Sequence, residues 1–248
     1  MRRAKLISID SEELEREIRL MRGLEIGDFS VAMGVHPASV SGNRALGCML
    51  NEYPNISYRA FVGNWELVNE HVSNRVAELG FVNIDAAENQ DHLSVERVSA
   101  HEMVLYCRKN HPLASSGKPS REDLDQFPLV SIRVPEALSK AIPGKAKVDV
   151  ANGHLVPSVE IDNLNTAKTV VRESNGIGVA VPSQIEHQLI SGEFVLLNFQ
   201  NPWIKPVFGF VFLKNRAVSP AAEIFVEKVI ELEQSAQRKN KALMKKYL

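Results

Sequence analysis

The chain has 248 residues, 44% of them hydrophobic and 24% charged, a balance ordinary for a globular fold and enough for one large or two small domains. Its 29 basic and 30 acidic residues leave a net charge of −1, without the basic excess of a dedicated nucleic-acid-binding domain. Two isolated cysteines, Cys48 and Cys107, exclude a Cys-x-x-Cys zinc or redox motif and read as buried free thiols in a reducing compartment. Residues 10–22 read as a helix. Asp10 can cap it, Glu13 stands at the capping-box spacing, and Leu14, Ile18 and Met21 form one narrow apolar stripe that needs a partner surface. Gly23 and Gly27 end it.

From Asp28 the pattern alternates strand and helix. Residues 29–34 form a short apolar strand, and Pro37 suits the first turn of a helix. Its continuation, 38–52, carries Val40, Leu46, Met49 and Leu50 on one side, and Tyr53-Pro54-Asn55 breaks it. Residues 56–62 are a second strand closed by Gly63. Leu67, Val68, Val72 and Val76 give a helical face, and 79–84 a third strand. Such alternation predicts parallel pairing in an α/β fold. Strands follow at 93–99 and 102–108, a loop at 111–117, a short helix at 121–125 and a strand at 129–132. The stretch 135–153 shows no clear period, with Pro143-Gly144 as a turn. Strand 159–162, helix 163–173 and strand 177–181 make another β-α-β unit. Pro182 starts a helix to about 190, strands follow at 194–197 and 207–213, and Ser219 caps a last helix with Pro220 in its first turn.

No catalytic or cofactor motif stands out. Asn175-Gly176-Ile177-Gly178 follows a helix and precedes a strand, the reverse of a dinucleotide loop. It reads instead as a helix C-terminus with a left-handed glycine. None of the seven histidines pairs with another at helical metal-site spacing, and nucleophile-elbow and P-loop patterns are absent. No enzyme activity, cofactor or metal is expected. The N-terminus lacks a signal-peptide apolar core and no apolar run approaches a membrane span, so the expected location is the cytoplasm. The basic residues Arg2, Arg3, Lys5, Arg238, Lys239, Lys241, Lys245 and Lys246 read as solvated ends.

Several stretches in register resemble the effector-binding domain of LysR-type transcriptional regulators. They are 23–32, the Tyr53-Pro54 turn, Phe61-Val62-Gly63, 77–82, the His111-Pro112-Leu113-Ala114 loop, 124–130, the glycine-containing 171–182 and Ser219-Pro220-Ala221. The resemblance implies an α/β fold of two Rossmann-like subdomains joined by two crossover strands, like type 2 periplasmic binding proteins. Residues 1–23 would be the remnant of a linker helix, 24–100 with 207–248 the first subdomain, and 101–206 the second. The winged helix-turn-helix of the family would precede residue 10 and nothing resembling it is present, so DNA is a partner only through that missing head. The expected partners are a small-molecule effector and further copies of the chain, as a homodimer or tetramer. The dimer is expected to pair helix 38–52 and strand 56–62 of one copy with helix 163–173 of the other. Two alternatives are a transporter's solute-binding protein and a headless sensor acting by protein–protein contacts.

The resemblance places the effector, expected to be small and anionic, between the subdomains. At the carboxyl ends of parallel strands, helix N-termini converge on the crevice and offer free N–H groups to an anion. The candidate contacts are His36, Pro37, Ala38 and Ser39 at the first strand-to-helix junction, and Gly63, Asn64 and Trp65 at the second. Arg133, Val134 and Asn163 would come from the other subdomain.

Overall fold

The computed structural model describes residues 27–84, 90–149, 151, 153–199 and 204–248. The expected helix at 10–22 lies outside them. The elements in chain order are β1 (Gly27–Gly34), α1 (Val35–Pro37), a π-helical turn (Ala38–Gly42), α2 (Asn43–Glu52), β2 (Ile56–Gly63), α3 (Trp65–Ser73), β3 (Leu79–Asn83), β4 (Leu93–Ala100) and β5 (Val104–Arg108). Then come α4 (Arg121–Leu124), β6 (Leu129–Ser131), α5 (Glu136–Ser139), β7 (Ala146–Val148), β8 (Leu155–Pro157), β9 (Val159–Glu160) and α6 (Leu164–Glu173). The last are β10 (Ile177–Ala180), a 3-10 turn (Pro182–Ile185), α7 (Glu186–Ser191), β11 (Phe194–Leu196), β12 (Val207–Leu213) and α8 (Pro220–Tyr247).

The strands form two five-stranded mixed sheets. The first has the order β2-β1-β3-β12-β4, the second β11-β5-β10-β6-β9, and β7-β8 is a separate hairpin. Pairing is parallel where a helix connects the strands (β1 with β2 and β3, β6 with β9 and β10) and antiparallel where β12 and β5 enter. The chain passes between the sheets twice, at 100–103 and 204–206. These segments lie side by side, with His101 N–H donating to Pro206 O (3.2 Å) and Met103 N–H to Ile204 O (3.1 Å).

Each sheet is buried on both faces, as parallel strands require. On the first, Phe29, Val31, Met33, Phe81 and Phe210 pack under Met49 of α2 and Phe225 and Val229 of α8. On its other face Ala32, Val82 and Val211 meet Trp65, Val68 and Val72 of α3. The second sheet sets Leu105, Cys107, Leu129 and Val179 against Leu138, Ile142 and Leu155. Opposite, Tyr106, Val130 and Phe194 meet Ala167 and Val171 of α6 and Leu189 of α7. Helix α8, 28 residues and so roughly 42 Å long, serves both layers. Phe225 and Val229 sit in the first core, while Met244 and Tyr247 pack against the second.

Pro37 lies in the first turn, as expected, of a helix that begins at Val35 with the extended Gly34, last residue of β1, as its N-cap. Several expectations are corrected. Leu50 and Val76 are exposed at 53% and 40%. The π turn shifts the inward stripe onto Ala45 and Met49, and α3 ends at Ser73. Gly176 is not left-handed. Helix α6 closes on an extended Ser174, and among the described residues the left-handed glycines are Gly117, Gly144, Gly153 and Gly192. Glycines 176 and 178 are needed for close approach instead. A Cβ at Gly178 would lie 2.3 Å from the Tyr106 ring, and one at Gly176 2.7 Å from Val130. Cys48 is half-buried and only Cys107 is buried. The unreadable stretch 135–153 is α5 followed by the first strand of the β7-β8 hairpin.

Candidate functional site

Register fixes the site. β1 and β2 pair residue for residue, so that Gly34 and Gly63 end side by side. Both chains then turn into helices at the same level, and beside them lie the end of β3 and the start of β12. The second sheet presents the end of β6 and β10 opposite. Between the two is a chamber. Its first wall is Gly34, Val35, His36, Pro37, Gly63, Asn64, Trp65, Val82, Asn83 and Phe208. Its second is Ser131, Ile132, Arg133, Val134, Pro135, Leu138, Ile142 and Val179, with Met103 and Pro206 of the two crossings between. The chamber opens into a wider mouth, where Val62, Leu67, Glu160, Ile161 and Asp162 join Val35, Gly63, Asn64, Ile132 and Arg133.

Most of the chamber lining is apolar, and the polar groups are few and placed. Asn64 caps α3, its Oδ1 accepting from Leu67 N–H at 2.9 Å, while its Nδ2 donates to Glu66 Oε2 at 3.1 Å. Trp65 is buried and meets His154 edge-on, ring centroids 5.1 Å apart. Arg133 follows β6 and donates from Nη2 to Glu160 Oε2 at 3.1 Å, with Nη1 4.0 Å from Glu66 Oε2. Glu160, first, and then Glu66 and Asp149 raise its pKa further. Its Nε is buried without a hydrogen-bond partner among the described residues. His36 is buried, and desolvation pulls its pKa from 6.5 down to about 4, against a smaller raising effect of its hydrogen bond to Gln184 Oε1 (3.0 Å). The imidazole is therefore neutral at ordinary pH.

Of the residues singled out in the sequence, His36, Pro37, Gly63, Asn64, Trp65, Arg133 and Val134 line this chamber. Ala38, Ser39 and Asn163 line neither chamber nor mouth. Ala38 lies in the first core, and Ser39 is exposed. Asn163 caps α6, accepting from Asn165 and Thr166 N–H. Among the described residues no cluster of His, Cys, Asp or Glu could hold a metal ion, and no helix is long and apolar enough to cross a membrane.

Sequence reading missed a second polar constellation, behind the chamber. The Glu233 carboxylate, 1% exposed, accepts from Ser41 Oγ at Oε1 and from Ser99 Oγ (2.6 Å) at Oε2, with His101 Nε2 2.5 Å from Oε2. Asn240 Nδ2 lies 3.3 Å from His101 Nδ1, and its Oδ1 accepts from Ser183 N–H at 2.8 Å. The signal was present: Glu233 stands four residues after Val229 and eight after Phe225, a carboxylate on an otherwise apolar stripe.

Two α/β layers, two crossings and a cleft at the strand ends define a bilobal ligand-binding fold. The model of the LysR substrate binding domain matches residues 22–233, so this chain belongs to the LysR substrate-binding domain family, whose members are transcription regulators and not enzymes. Among curated relatives, an SDS degradation transcriptional activation protein from Pseudomonas sp. is 23% identical over 85% of this chain and 68% of its own. A probable RuBisCO transcriptional regulator from Cyanophora paradoxa is 22% identical over 94% and 73%. Of solved structures, the regulatory domain of MetR from N. meningitidis superposes with a TM-score of 0.64 at 18% identity, covering 84% of this chain and 95% of that one. The effector-binding domain of QuiR in complex with shikimate gives 0.62 at 14% identity, covering 85% and 98%. The regulatory domain of Synechocystis CcmR in complex with 2-PG gives 0.60 at 18%, covering 84% and 98%.

Proposed function

We propose that this chain is the effector-sensing and oligomerisation part of a LysR-family transcription regulator, and that it binds a small anionic metabolite in the chamber between its layers. The chamber itself carries the reading. It is lined from both layers, floored by the two crossings and provided with one guanidinium at its mouth. A molecule seated there touches both halves at once, so it can bias their relative orientation. That related domains hold shikimate and 2-PG supports a small-molecule occupant. We assign 24–100 with 207–248 to one subdomain and 101–206 to the other, residues 1–23 to a linker helix, and DNA contact to the family's winged helix-turn-helix rather than to these residues. The working compartment is the cytoplasm.

The partner surface we assign to α2, the β2 edge and α6 of a second copy. β2 is an edge strand, and Leu50 and Val62 are 53% and 46% exposed on this side, an arrangement that favours pairing with another chain. A thermal-shift screen of organic acids checks the sensing role. A stabilising acid whose effect falls in Arg133→Gln and Asn64→Ala is expected, and no response to any acid overturns it. Sedimentation checks the second role: a dimer at micromolar concentration that Leu50→Glu dissociates is expected, and a monomeric native chain overturns it.

A further inference from the structure

We propose that the Glu66 carboxylate is a built-in stand-in for the effector's carboxylate, and that Glu66 and Glu160 together restrict the cleft to effectors with one negative charge on an apolar body. This rests on the cleft-binding reading above and specifies the class of molecule taken.

The charge inventory is lopsided. Among the described residues, Arg133 is the only Lys or Arg lining the chamber or its mouth. Around it stand Glu160 at 3.1 Å and Asp162, both on the mouth, and Glu66 at 4.0 Å just outside the lining. His36 adds no second cation, because burial holds its ring neutral down to about pH 4. The cleft's one guanidinium therefore meets any ligand already paired.

The two pairings are unequal. Glu160 makes a hydrogen-bonded ion pair. Glu66 is held at its Oε2 by Asn64 Nδ2 at 3.1 Å and faces Arg133 Nη1 only at the limit of ion pairing. It is also half-exposed, 48% at the side chain, so water compensates its departure. A ligand carboxylate that takes its place gains the Asn64 amide and the free edge of the guanidinium, which has five donors and can keep Glu160. Asn64 retains its cap, since that uses Oδ1. The chamber that Asn64 and Arg133 line has Trp65, Val82, Leu138, Ile142 and Phe208 among its walls, fit for an apolar body and for no further charge. A second negative charge at the mouth would sit beside Glu160 and Asp162 without a cation. Repulsion across about 4–6 Å then disfavours it roughly tenfold or more.

Calorimetric titration of the whole chain with benzoate, terephthalate and benzamide separates the possibilities. Trp65 fluorescence in a Trp203→Phe background serves as an independent report on chamber occupancy. The expected result is benzoate binding, with terephthalate at least tenfold weaker and benzamide weaker than benzoate. Glu66→Gln should tighten benzoate severalfold by removing the competitor, and Glu160→Gln should bring terephthalate to within about threefold of benzoate. Thermal melts of each variant show that it is folded. Benzoate binding with terephthalate equal or tighter overturns the inference and leaves the cleft reading intact, as does an unchanged ratio in Glu160→Gln or weaker benzoate in Glu66→Gln. If none of the three binds or moves Trp65 fluorescence in the native chain or in Glu66→Gln, the inference is overturned. If the organic-acid screen also draws no response, the cleft reading falls with it.

Discussion

The two layers are joined at the back of the molecule and at the mouth of the cleft, and the two joints are built from opposite chemistry. At the back, Glu233 and Asn240 of α8 engage Ser41, Ser99, His101 and Ser183, with every named residue but Ser183 buried. At the mouth, the layers meet through Arg133 and Glu66 at 4.0 Å, 31% and 48% exposed, and through one edge-on contact of Trp65 with His154. Between them, inside the chamber wall, His36 of α1 bonds Gln184 beyond β10 through both its Nδ1 (3.0 Å) and its carbonyl oxygen (3.2 Å). Burial and hydrogen bonding thus decline from back to mouth. A polar contact is hard to replace by water only where water cannot reach. The back joint is therefore expected to act as the pivot and the mouth as the edge that opens, where the proposed effector would have leverage.

This gradient breaks most visibly if the back joint proves soft. Glu233→Ala strips the carboxylate from two buried hydroxyls and a buried imidazole. A loss of about 3–5 kcal/mol in urea unfolding is expected, and less for Glu233→Gln, which keeps acceptor and donor capacity. A loss below about 1 kcal/mol would mean that the buried network does not hold the layers together.

The middle joint is sensed by pH. His36 has its folded pKa depressed from 6.5 to about 4. The unfolded chain therefore binds this proton first as pH falls, and stability present above pH 6.5 is lost progressively between about 6.5 and 4. The shift corresponds to about 3 kcal/mol over the whole window. Denaturant midpoints at steps from pH 7.5 to 4 should show this slope, and His36→Gln should flatten it. An identical slope in the variant would assign the effect to other groups, of which His111, lowered chiefly by burial, is the first to examine.

How much of this was legible in the sequence follows the same division. The strand ends that frame the cleft announce themselves. Gly34 and Gly63 close apolar runs and are followed at once by helices, and Arg133 follows the β6 run at a strand end. Parallel register then brings Gly34 and Gly63 together without further information. Ser39 was harder, because its placement depends on where the helix begins. With the start at Val35 and a π turn at Ala38–Gly42, Ser39 falls past the first turn and faces solvent. Leu50 misled for the same reason. The α5 and β7-β8 region hid because its elements are three or four residues long, too short to show a period. The back joint was legible only in part. Glu233 marks itself by interrupting the α8 stripe, but Ser41, Ser99, His101 and Ser183 are brought to it by tertiary packing alone.

The smallest expected effect is at the mouth, and it is the most discriminating. A double-mutant cycle on Arg133→Gln and Glu66→Gln should give a coupling below about 1 kcal/mol in urea unfolding without ligand, because the pair is long, partly hydrated and screened by salt. The coupling should shrink further at high salt, since both side chains are within reach of counterions. Weakness here is what the proposed displacement of Glu66 requires: an effector carboxylate cannot take its place on the guanidinium against a tight, dry ion pair. A coupling of 3 kcal/mol or more would place the mouth in the same class as the back joint. The cleft would then be closed by its own residues, and the gradient from pivot to opening edge would not exist.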